Sequence, residues 1–311
     1  MIVNMLHRRH LPFELLNGPL AILNILANLF FAFCLACPSV PRDEIKQPLK
    51  TLLWSMICCT TIFLLTLVVE EIFWRLNSIY TCYLDEVVSF TASISMSTTV
   101  WLNFFYYTQI VPSKEVIFTY VKKNIKIILY SVLFVDRVFF LLDISIKIVA
   151  EPKGYNNSCS LITLTNDTSP GLYYAFQVSS FCKIIYVFLC LCLMVGSSWA
   201  TSRYLRRHIK SMEHSGSPFS CPNLRNQVRV TVTGIMQGIF YFLCALWTFA
   251  EFICNHYSSV TFGYNVFYTV ISLYMLGTTV NLGIGQFVFR QRAADIGLKV
   301  RLAIRPLPLG D

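Results

Sequence analysis

The chain has 311 residues, of which 55% are hydrophobic and only 13% are charged. Soluble globular domains carry roughly 25% charged residues, so this composition excludes an ordinary soluble domain and indicates an integral membrane protein. The formal net charge is +9, but the high apolar content argues against a nucleic-acid-binding protein. The twelve cysteines lie mostly in apolar runs without paired histidines, which predicts small buried hydrophobes and no metal site.

Seven apolar runs are long enough to cross a bilayer, which requires roughly 20 residues per helix. They cover residues 13–37, 50–72, 84–108, 125–148, 173–202, 228–254 and 264–287. The longest connections between them, 149–172 and 203–227, are too short for a soluble domain. We therefore predict an all-α integral membrane protein in which residues 1–311 form a single bundle of seven transmembrane helices.

The first run also has features of a secretory signal peptide, because the basic stretch HRRH precedes it and CLAC ends it. Its apolar stretch is longer than the roughly 7–15 residues of a signal h-region. It also contains Asn17, Asn24 and Asn28, which suit a helix that packs against polar partners in a bundle. We interpret it as a retained first span.

The positions of lysine and arginine predict the orientation. Eighteen of the 25 lie on one side of the predicted bundle, in connections, in the C-terminal tail or at the adjoining ends of spans, and five lie on the other side. The positive-inside rule makes the richer side cytoplasmic, so the N-terminus lies outside and the C-terminus inside, although Arg8 and Arg9 argue against this. Asn156 and Asn166 begin N-x-[ST] glycosylation sequons in a loop that the same rule places outside, which supports this orientation.

The stretch WLNFFYYTQIVPSKEVIFTYVKKNIK, Trp101 to Lys126, changes from aromatic to basic at Pro112. We interpret its first part as the inner end of span three and 112–126 as a short cytoplasmic loop with a helical turn on the membrane. The lysines can meet anionic lipid headgroups, while Ile117, Phe118 and Tyr120 face the bilayer or a partner. On the residues alone, a simple lipid anchor fits equally well.

Beyond Lys126 at its inner end, span four carries four charged residues, which are costly in a membrane and usually face the bundle interior. Asp143 and Lys147 have the i,i+4 spacing of a local ion pair near the outer end of the span. Asp136 and Arg137 lie near mid-depth. They are neighbours in sequence and point in different directions, so we predict separate structural partners for them.

Small hydroxyl side chains crowd span three. They are Ser89, Thr91, Ser93, Ser95, Ser97, Thr98 and Thr99. Such residues let helices approach closely and hydrogen-bond across their interface, so we predict close helix packing. Because Ser89 and Ser93 are i,i+4 neighbours in the outer half of the span, they could also line a pocket.

The C-terminal stretch FVFRQRAADIGLKVRLAIRP predicts a short amphipathic helix on the inner membrane surface. Phe289, Ala293, Ile296 and Val300 form an apolar stripe at helical spacing, with arginines and a lysine around it. Gly297 weakens this interpretation.

Seven spans with an outside N-terminus and a short inside tail resemble a G-protein-coupled receptor. The rhodopsin-like signatures are missing, since no Asp-Arg-Tyr ends span three and no Asn-Pro-x-x-Tyr occurs in span seven. Bitter taste receptors, the type 2 taste receptor family, also lack both. The end of span three is similar to that family's Phe-Tyr-x-Leu-Lys-Ile-Ala-x-Phe-Ser pattern, and Gln109 replaces the usual lysine. It reads Phe105-Tyr106-Tyr107-Thr108-Gln109-Ile110-Val111-Pro112-Ser113.

Three further regions resemble the same family. Leu205–Gly216 is similar to its basic segment after span five, 278–291 to the end of its span seven, and Ala27-Asn28 to the Gly-Asn of its span one. Span two lacks the family's usual arginine, and Val88 and Ala92 stand where tryptophan and asparagine often touch ligand. The chain thus resembles a divergent bitter taste receptor, for which a non-mammalian origin is one interpretation. A pheromone-type vomeronasal receptor is the nearest alternative.

The resemblance implies a receptor in the plasma membrane, with no cofactor and no nucleic-acid partner. It would bind small bitter-tasting molecules in the outer half of the bundle, where Glu251 near the end of span six could attract a cationic ligand. The implied ligand-binding residues are Val88, Ser89, Ala92, Ser93, Lys183, Glu251, Tyr264, Phe267 and Tyr268. The implied disulfide joins Cys82 and Cys159.

The resemblance also implies a heterotrimeric G protein, gustducin or a Gi-like relative, as the intracellular partner. The residues expected to contact it are Gln109, Ile110, Phe118, Tyr120, Lys122, Arg206, His208 and Lys210. A membrane transporter is a less favoured alternative, because the chain shows no inverted halves with broken spans. A membrane enzyme is disfavoured because no His, Asp or Glu cluster has metal-binding or acid–base spacing.

Overall fold

The computed structural model describes residues 2–37, 45, 47–75, 81–112, 115–150, 170–214, 222–257 and 264–304. Within those ranges the chain forms nine α-helices and no strand. They are α1 Ile2–Ala36, α2 Leu49–Arg75, α3 Thr81–Ile110, α4 Val116–Lys123, α5 Ile125–Ala150, α6 Pro170–His214, α7 Pro222–Tyr257, α8 Tyr264–Gly285 and α9 Phe287–Ile304.

Each of the seven predicted spans falls on a helix, namely α1, α2, α3, α5, α6, α7 and α8. Five of these helices are long and apolar enough to cross a membrane: α1, α2, α6, α7 and α8. The other two differ in composition, because α3 is rich in serine and threonine and α5, although strongly apolar otherwise, carries charged residues along its length. The chain is therefore a helical membrane protein.

Helix α3 lies at the centre of the bundle, where it packs against α2, α5, α6 and α7. Helix α1 packs against α2 and α8, and α7 lies between α6 and α8. Two apolar clusters fill the interior. One contains Phe63, Tyr241 and Tyr274, and the other contains Leu52 and Leu129 nearer the opposite end.

The three asparagines of α1 are buried in the bundle, as predicted. Asn28 Nδ2 donates to the backbone oxygen of Asn24 at 2.9 Å and to its Oδ1 at 3.1 Å. Asn17 Nδ2 donates to Thr269 Oγ1 of α8 at 3.4 Å. Amides buried in an apolar span need partners; the Asn28 bonds lie within α1, and the Asn17 bond links α1 to α8.

The outward surface of the bundle is apolar. On α6 alone, Ile185, Phe188 and Trp199 are 58%, 63% and 69% exposed. An apolar surface of this extent is rare on monomeric soluble proteins and marks contact with membrane or protein. This surface agrees with the apolar length of the helices.

The loop after α3 contains the predicted helical turn, which is α4. The structure corrects one expectation there: Phe118 does not face outward but packs edge-on against Tyr107 of α3, with ring centroids 5.4 Å apart. Tyr120 is 66% exposed. The side chain of Ile117 lies outside the described residues.

The predicted C-terminal helix is α9. Its apolar stripe is divided, which the sequence did not indicate. Phe289 is buried and stacks on Phe31 of α1, with ring centroids 4.5 Å apart, whereas Ala293, Ile296 and Val300 are exposed. One end of α9 is thus anchored in the bundle, and only the remainder presents the stripe outward.

Candidate functional site

The half of the bundle that contains the starts of α3, α6 and α8 and the end of α5 is the predicted outer half. Here Tyr268 of α8 is buried, and its hydroxyl donates to the carboxylate of Asp85 on α3. Phe267 lies beside it, with ring centroids 5.6 Å apart. Val88 and Ala92 are 0% and 3% exposed in the same apolar cluster. The hydrogen bond and this packing close the bundle between α3 and α8.

A charged network occupies the opposite side of α3 in the same half. Lys147 Nζ of α5 lies 3.7 Å from Asp143 Oδ2, so the predicted i,i+4 pair is confirmed. The same ammonium lies 3.3 Å from Glu86 Oε2 of α3, and Lys183 Nζ of α6 lies 3.9 Å from Asp143 Oδ2. The pair is therefore part of a network of two acids and two bases that joins three helices.

Hydroxyl groups extend this network. Ser179 Oγ of α6 donates to Asp143 Oδ1 at 2.5 Å, and Lys183 Nζ donates to Ser89 Oγ at 3.5 Å. Ser93 Oγ donates to the backbone oxygen of Ser89 at 2.8 Å and is half-buried. A ligand with both acidic and basic groups, or a polar neutral one, has hydrogen-bonding partners of both signs at this site.

The predicted ligand-binding residues thus occupy two faces of α3 and do not form one set. Val88 and Ala92 lie with Phe267 and Tyr268 on the α8 side, whereas Ser89, Ser93 and Lys183 lie on the α5–α6 side. The remaining predicted positions fall outside what the structure describes. These are the side chains of Glu251, Tyr264 and Cys82, and residues Cys159, Asn156 and Asn166.

Asp136 and Arg137 have different partners, as predicted. Asp136 is 3% exposed and accepts hydrogen bonds from Ser97 Oγ, from Trp101 Nε1 at 3.0 Å and from the Tyr186 hydroxyl at 2.8 Å. It therefore joins α5 to α3 and α6. The hydroxyls of span three do serve helix packing here, because Ser97 is one of these donors.

Arg137 turns towards α2 instead. Its Nη1 donates to the backbone oxygen of Leu133 at 2.8 Å, and its Nη2 donates to Ser55 Oγ.

The opposite half of the bundle, which is the predicted inner half, contains a cavity of about 40 Å³ between α2, α3, α7 and α8. Polar side chains from three of these helices meet beside it. Gln237 Nε2 of α7 donates to Thr278 Oγ1 of α8 at 2.7 Å, and Asn281 Nδ2 of α8 donates to the backbone oxygen of Thr233 at 2.6 Å and to Gln237 Oε1 at 3.1 Å. These bonds hold the inner parts of α7 and α8 together.

In the same region, α3 contacts both α8 and α7. Gln286 at the end of α8 donates to the hydroxyl of Tyr106 on α3. Gly234 allows a close approach of α7 to α3, since a Cβ built there would lie 2.6 Å from Asn103 Oδ1. Gln237 and Asn281 were not predicted from the sequence, although each is an uncharged amide inside a predicted span, the same feature that singled out Asn24.

Most of the residues expected to contact a G protein are accessible at the inner helix ends. Ile110 and Phe118 are half-buried, and the others are exposed. Those others are Gln109, Tyr120, Lys122, Arg206, His208 and Lys210. The cations project from α4 and from the last turns of α6, so the two elements together present a basic surface.

Comparison with known proteins identifies the family. The sequence model of the taste receptor protein (TAS2R) family matches residues 5–301, which include all seven predicted spans and most of α9. No curated protein matches the chain. A match over nearly the whole chain also explains why the partial motifs at the ends of spans three and seven and after span five occur together. The chain belongs to the taste receptor protein (TAS2R) family of G-protein-coupled bitter taste receptors.

Proposed function

We propose that this protein is a seven-span bitter taste receptor of the plasma membrane, formed by one domain over residues 1–311. It binds small bitter-tasting molecules in the outer half of the bundle and activates a heterotrimeric G protein of the gustducin or Gi-like class inside the cell. The family match over residues 5–301 carries this proposal. It also favours a taste receptor over the vomeronasal and transporter alternatives.

The orientation rests on charge. With the N-terminus outside, the exposed cations of α4 and of the last turns of α6 lie in the cytoplasm, as the positive-inside rule requires. Both sequons, Asn156 and Asn166, then lie outside. The same orientation places the cavity between α2, α3, α7 and α8 towards the cytoplasm.

The ligand acts by separating α3 from α8 at their outer ends. In the closed bundle the hydroxyl of Tyr268 satisfies Asp85, and Val88 and Ala92 are buried beneath this pair. A cationic or hydroxyl-bearing ligand can replace the tyrosine as partner of Asp85, which exposes Val88 and Ala92 to the ligand's apolar part. Lys183 and Ser89 offer a second polar contact on the other face of α3, and Glu251 lies in the sequence near the same end of α7.

Activation opens the inner half. The hydrogen bonds from Asn281 and Gln286 hold α7 and α3 to α8, so outward movement of the inner end of α7 must break at least some of them. The opened cleft then admits a segment of the G protein beside the exposed basic residues of α4 and α6. Basic surfaces favour acidic partners and raise the rate of encounter.

Tyr268→Phe tests the ligand site. The variant keeps the ring and removes the donor to Asp85, so the ligand no longer has to displace this hydrogen bond. Concentration–response curves for the cationic bitter compounds quinine and denatonium should therefore shift to about tenfold lower concentrations, as for one hydrogen bond to a charged group. The matched control is Tyr204→Phe, near the inner end of α6, where the ring lies beside His208. Unchanged curves for Tyr268→Phe, with both compounds active on the parent, would place the ligand elsewhere.

A further inference from the structure

Arg137 lies in a groove between two helices that scarcely touch. Helices α2 and α5 both pack on α3 but make little direct backbone contact with each other. Long polar side chains bridge the gap, since Arg137 Nη2 donates to Ser55 Oγ and the hydroxyl of Tyr130 donates to Gln47 Oε1 at 3.0 Å. The groove therefore has α3 as its floor and polar groups along its length.

The guanidinium of Arg137 has no acidic partner in the described part of the chain. Its observed acceptors are a backbone oxygen and a hydroxyl, whereas the guanidinium has five N–H donors and stays charged in proteins. The adjacent carboxylate of Asp136 is engaged on the other side of α5 with Ser97, Trp101 and Tyr186. A charge within an apolar span is costly unless an opposite charge or a water-filled space compensates it.

The position of the guanidinium favours the inner leaflet, given the orientation proposed above. Both of its acceptors lie towards the inner ends of their helices. Leu133 is one turn closer than Arg137 to the start of α5. Ser55 is six residues from the start of α2, or about 9 Å along the axis. Lys50 and Lys126 lie in the first turns of the two helices, so they add positive charge at the same end of the bundle.

The walls of the groove suit hydrocarbon chains. Ile62 on α2 and Phe134 and Leu141 on α5 are 47%, 69% and 51% exposed. By helical spacing, Ile62 shares the face of Ser55, and Phe134 and Leu141 share the face of Arg137. The groove thus combines one deep cation, a polar mouth and exposed apolar walls, which together match an amphiphile with an acidic head.

We propose that the groove between α2 and α5 binds one anionic phospholipid of the inner leaflet, with its phosphate on Arg137 and its acyl chains along Ile62, Phe134 and Leu141. Basic pockets between transmembrane helices on the cytoplasmic side are known to hold anionic headgroups. A sterol hydroxyl is a weaker fit, because a neutral group leaves the guanidinium uncompensated. The bound lipid fills the space between α2 and α5 and stabilises the bundle on that side.

Native mass spectrometry of the purified full-length receptor tests this proposal. Protein released from nanodiscs of equimolar phosphatidylcholine and phosphatidylglycerol should retain one phosphatidylglycerol. Arg137→Gln should weaken that retention by about tenfold, as expected for losing a charge-assisted contact, and Arg137→Lys should weaken it less. The control Arg203→Gln removes an exposed arginine of α6 and should retain the lipid like the parent.

Three results would overturn the proposal: equal retention by the parent and Arg137→Gln, preferential retention of phosphatidylcholine, or preferential retention of cholesterol when it is included. A variant-free measurement covers the case in which Arg137→Gln does not fold. The melting temperature of the parent should rise with phosphatidylglycerol but not with inorganic phosphate or cholesterol, and the absence of that rise also refutes the proposal. Neither readout involves a bitter ligand or a G protein, so failure here is distinguishable from failure of the receptor assignment.

Discussion

Asn281→Leu should raise the basal activity of the receptor. In the closed bundle the Asn281 amide of α8 makes two hydrogen bonds to α7, to the backbone oxygen of Thr233 at 2.6 Å and to Gln237 Oε1 at 3.1 Å. Leucine keeps a similar volume but cannot donate, so both bonds are lost. If opening separates α7 from α8, the substitution destabilises the closed state more than the open one.

The size of the effect follows from these two bonds. Hydrogen bonds between transmembrane helices average about 0.6 kcal/mol each, so losing two shifts the equilibrium by roughly 1.2 kcal/mol. This corresponds to about an eightfold larger open population. Basal nucleotide exchange on a gustducin-type G protein, measured in membranes at matched receptor expression, should rise by a similar factor.

The control for this experiment is Thr248→Val on α7. Thr248 Oγ1 donates only to the backbone oxygen of Cys244 in its own helix, at 3.0 Å, so its removal should leave basal exchange at the parent level. If Asn281→Leu also stays at that level while both proteins are folded and expressed, the inner hydrogen bonds do not hold the receptor closed.

Three further predictions concern the core, the loop and the orientation. Asp136→Ala removes the acceptor of three donors, the buried Ser97 and the half-buried Trp101 and Tyr186, and should lower the melting temperature by several degrees. Asp295→Ala, exposed on α9, should not lower it. Equal melting temperatures of the two variants would show that the network is not stabilising. Phe118→Ala removes the contact with Tyr107, and Lys122→Glu reverses an exposed charge of α4. Both variants should show reduced agonist-stimulated nucleotide exchange at matched surface expression. If both couple normally, the loop serves only as a membrane anchor. Receptor made in animal cells should migrate faster on a gel after glycosidase treatment. The double variant Asn156→Gln, Asn166→Gln should not show this change. Unchanged mobility of the parent would argue against an extracellular position of this loop.

The sequence predicted where the helices lie, because an apolar run of bilayer length has few alternative structures. It underestimated how far some helices extend beyond the membrane-spanning segments. Helix α6 continues to His214, twelve residues past the predicted span, because the lysines and arginines that end an apolar run are good helix formers. The hydropathy of a segment and its helicity are different properties, and they diverge at the membrane surface.

The contacts between helices were harder to predict than the helices. Spacing within one helix identified Asp143–Lys147, since i,i+4 residues share a face, but it carried no information on Glu86 or Lys183, which come from α3 and α6. In the same way, Gln237 and Thr278 are 41 residues apart in the chain and meet only through the packing of α7 on α8. The division of the ligand-binding candidates between two faces of α3 likewise depends on which helices surround it.

Ligand-dependent nucleotide exchange in a defined system tests the central claim most directly. Purified receptor in nanodiscs, mixed with a purified gustducin-type heterotrimer and a panel of bitter compounds that includes quinine and denatonium, should accelerate nucleotide exchange with at least one compound. The acceleration should saturate with the concentration of that compound, and the response to a cationic compound should weaken about tenfold in Asp85→Leu, which removes the carboxylate that the ligand takes over from Tyr268. Exchange that no compound alters, with folded receptor and either this heterotrimer or a Gi-class one, would contradict the assignment as a G-protein-coupled bitter taste receptor.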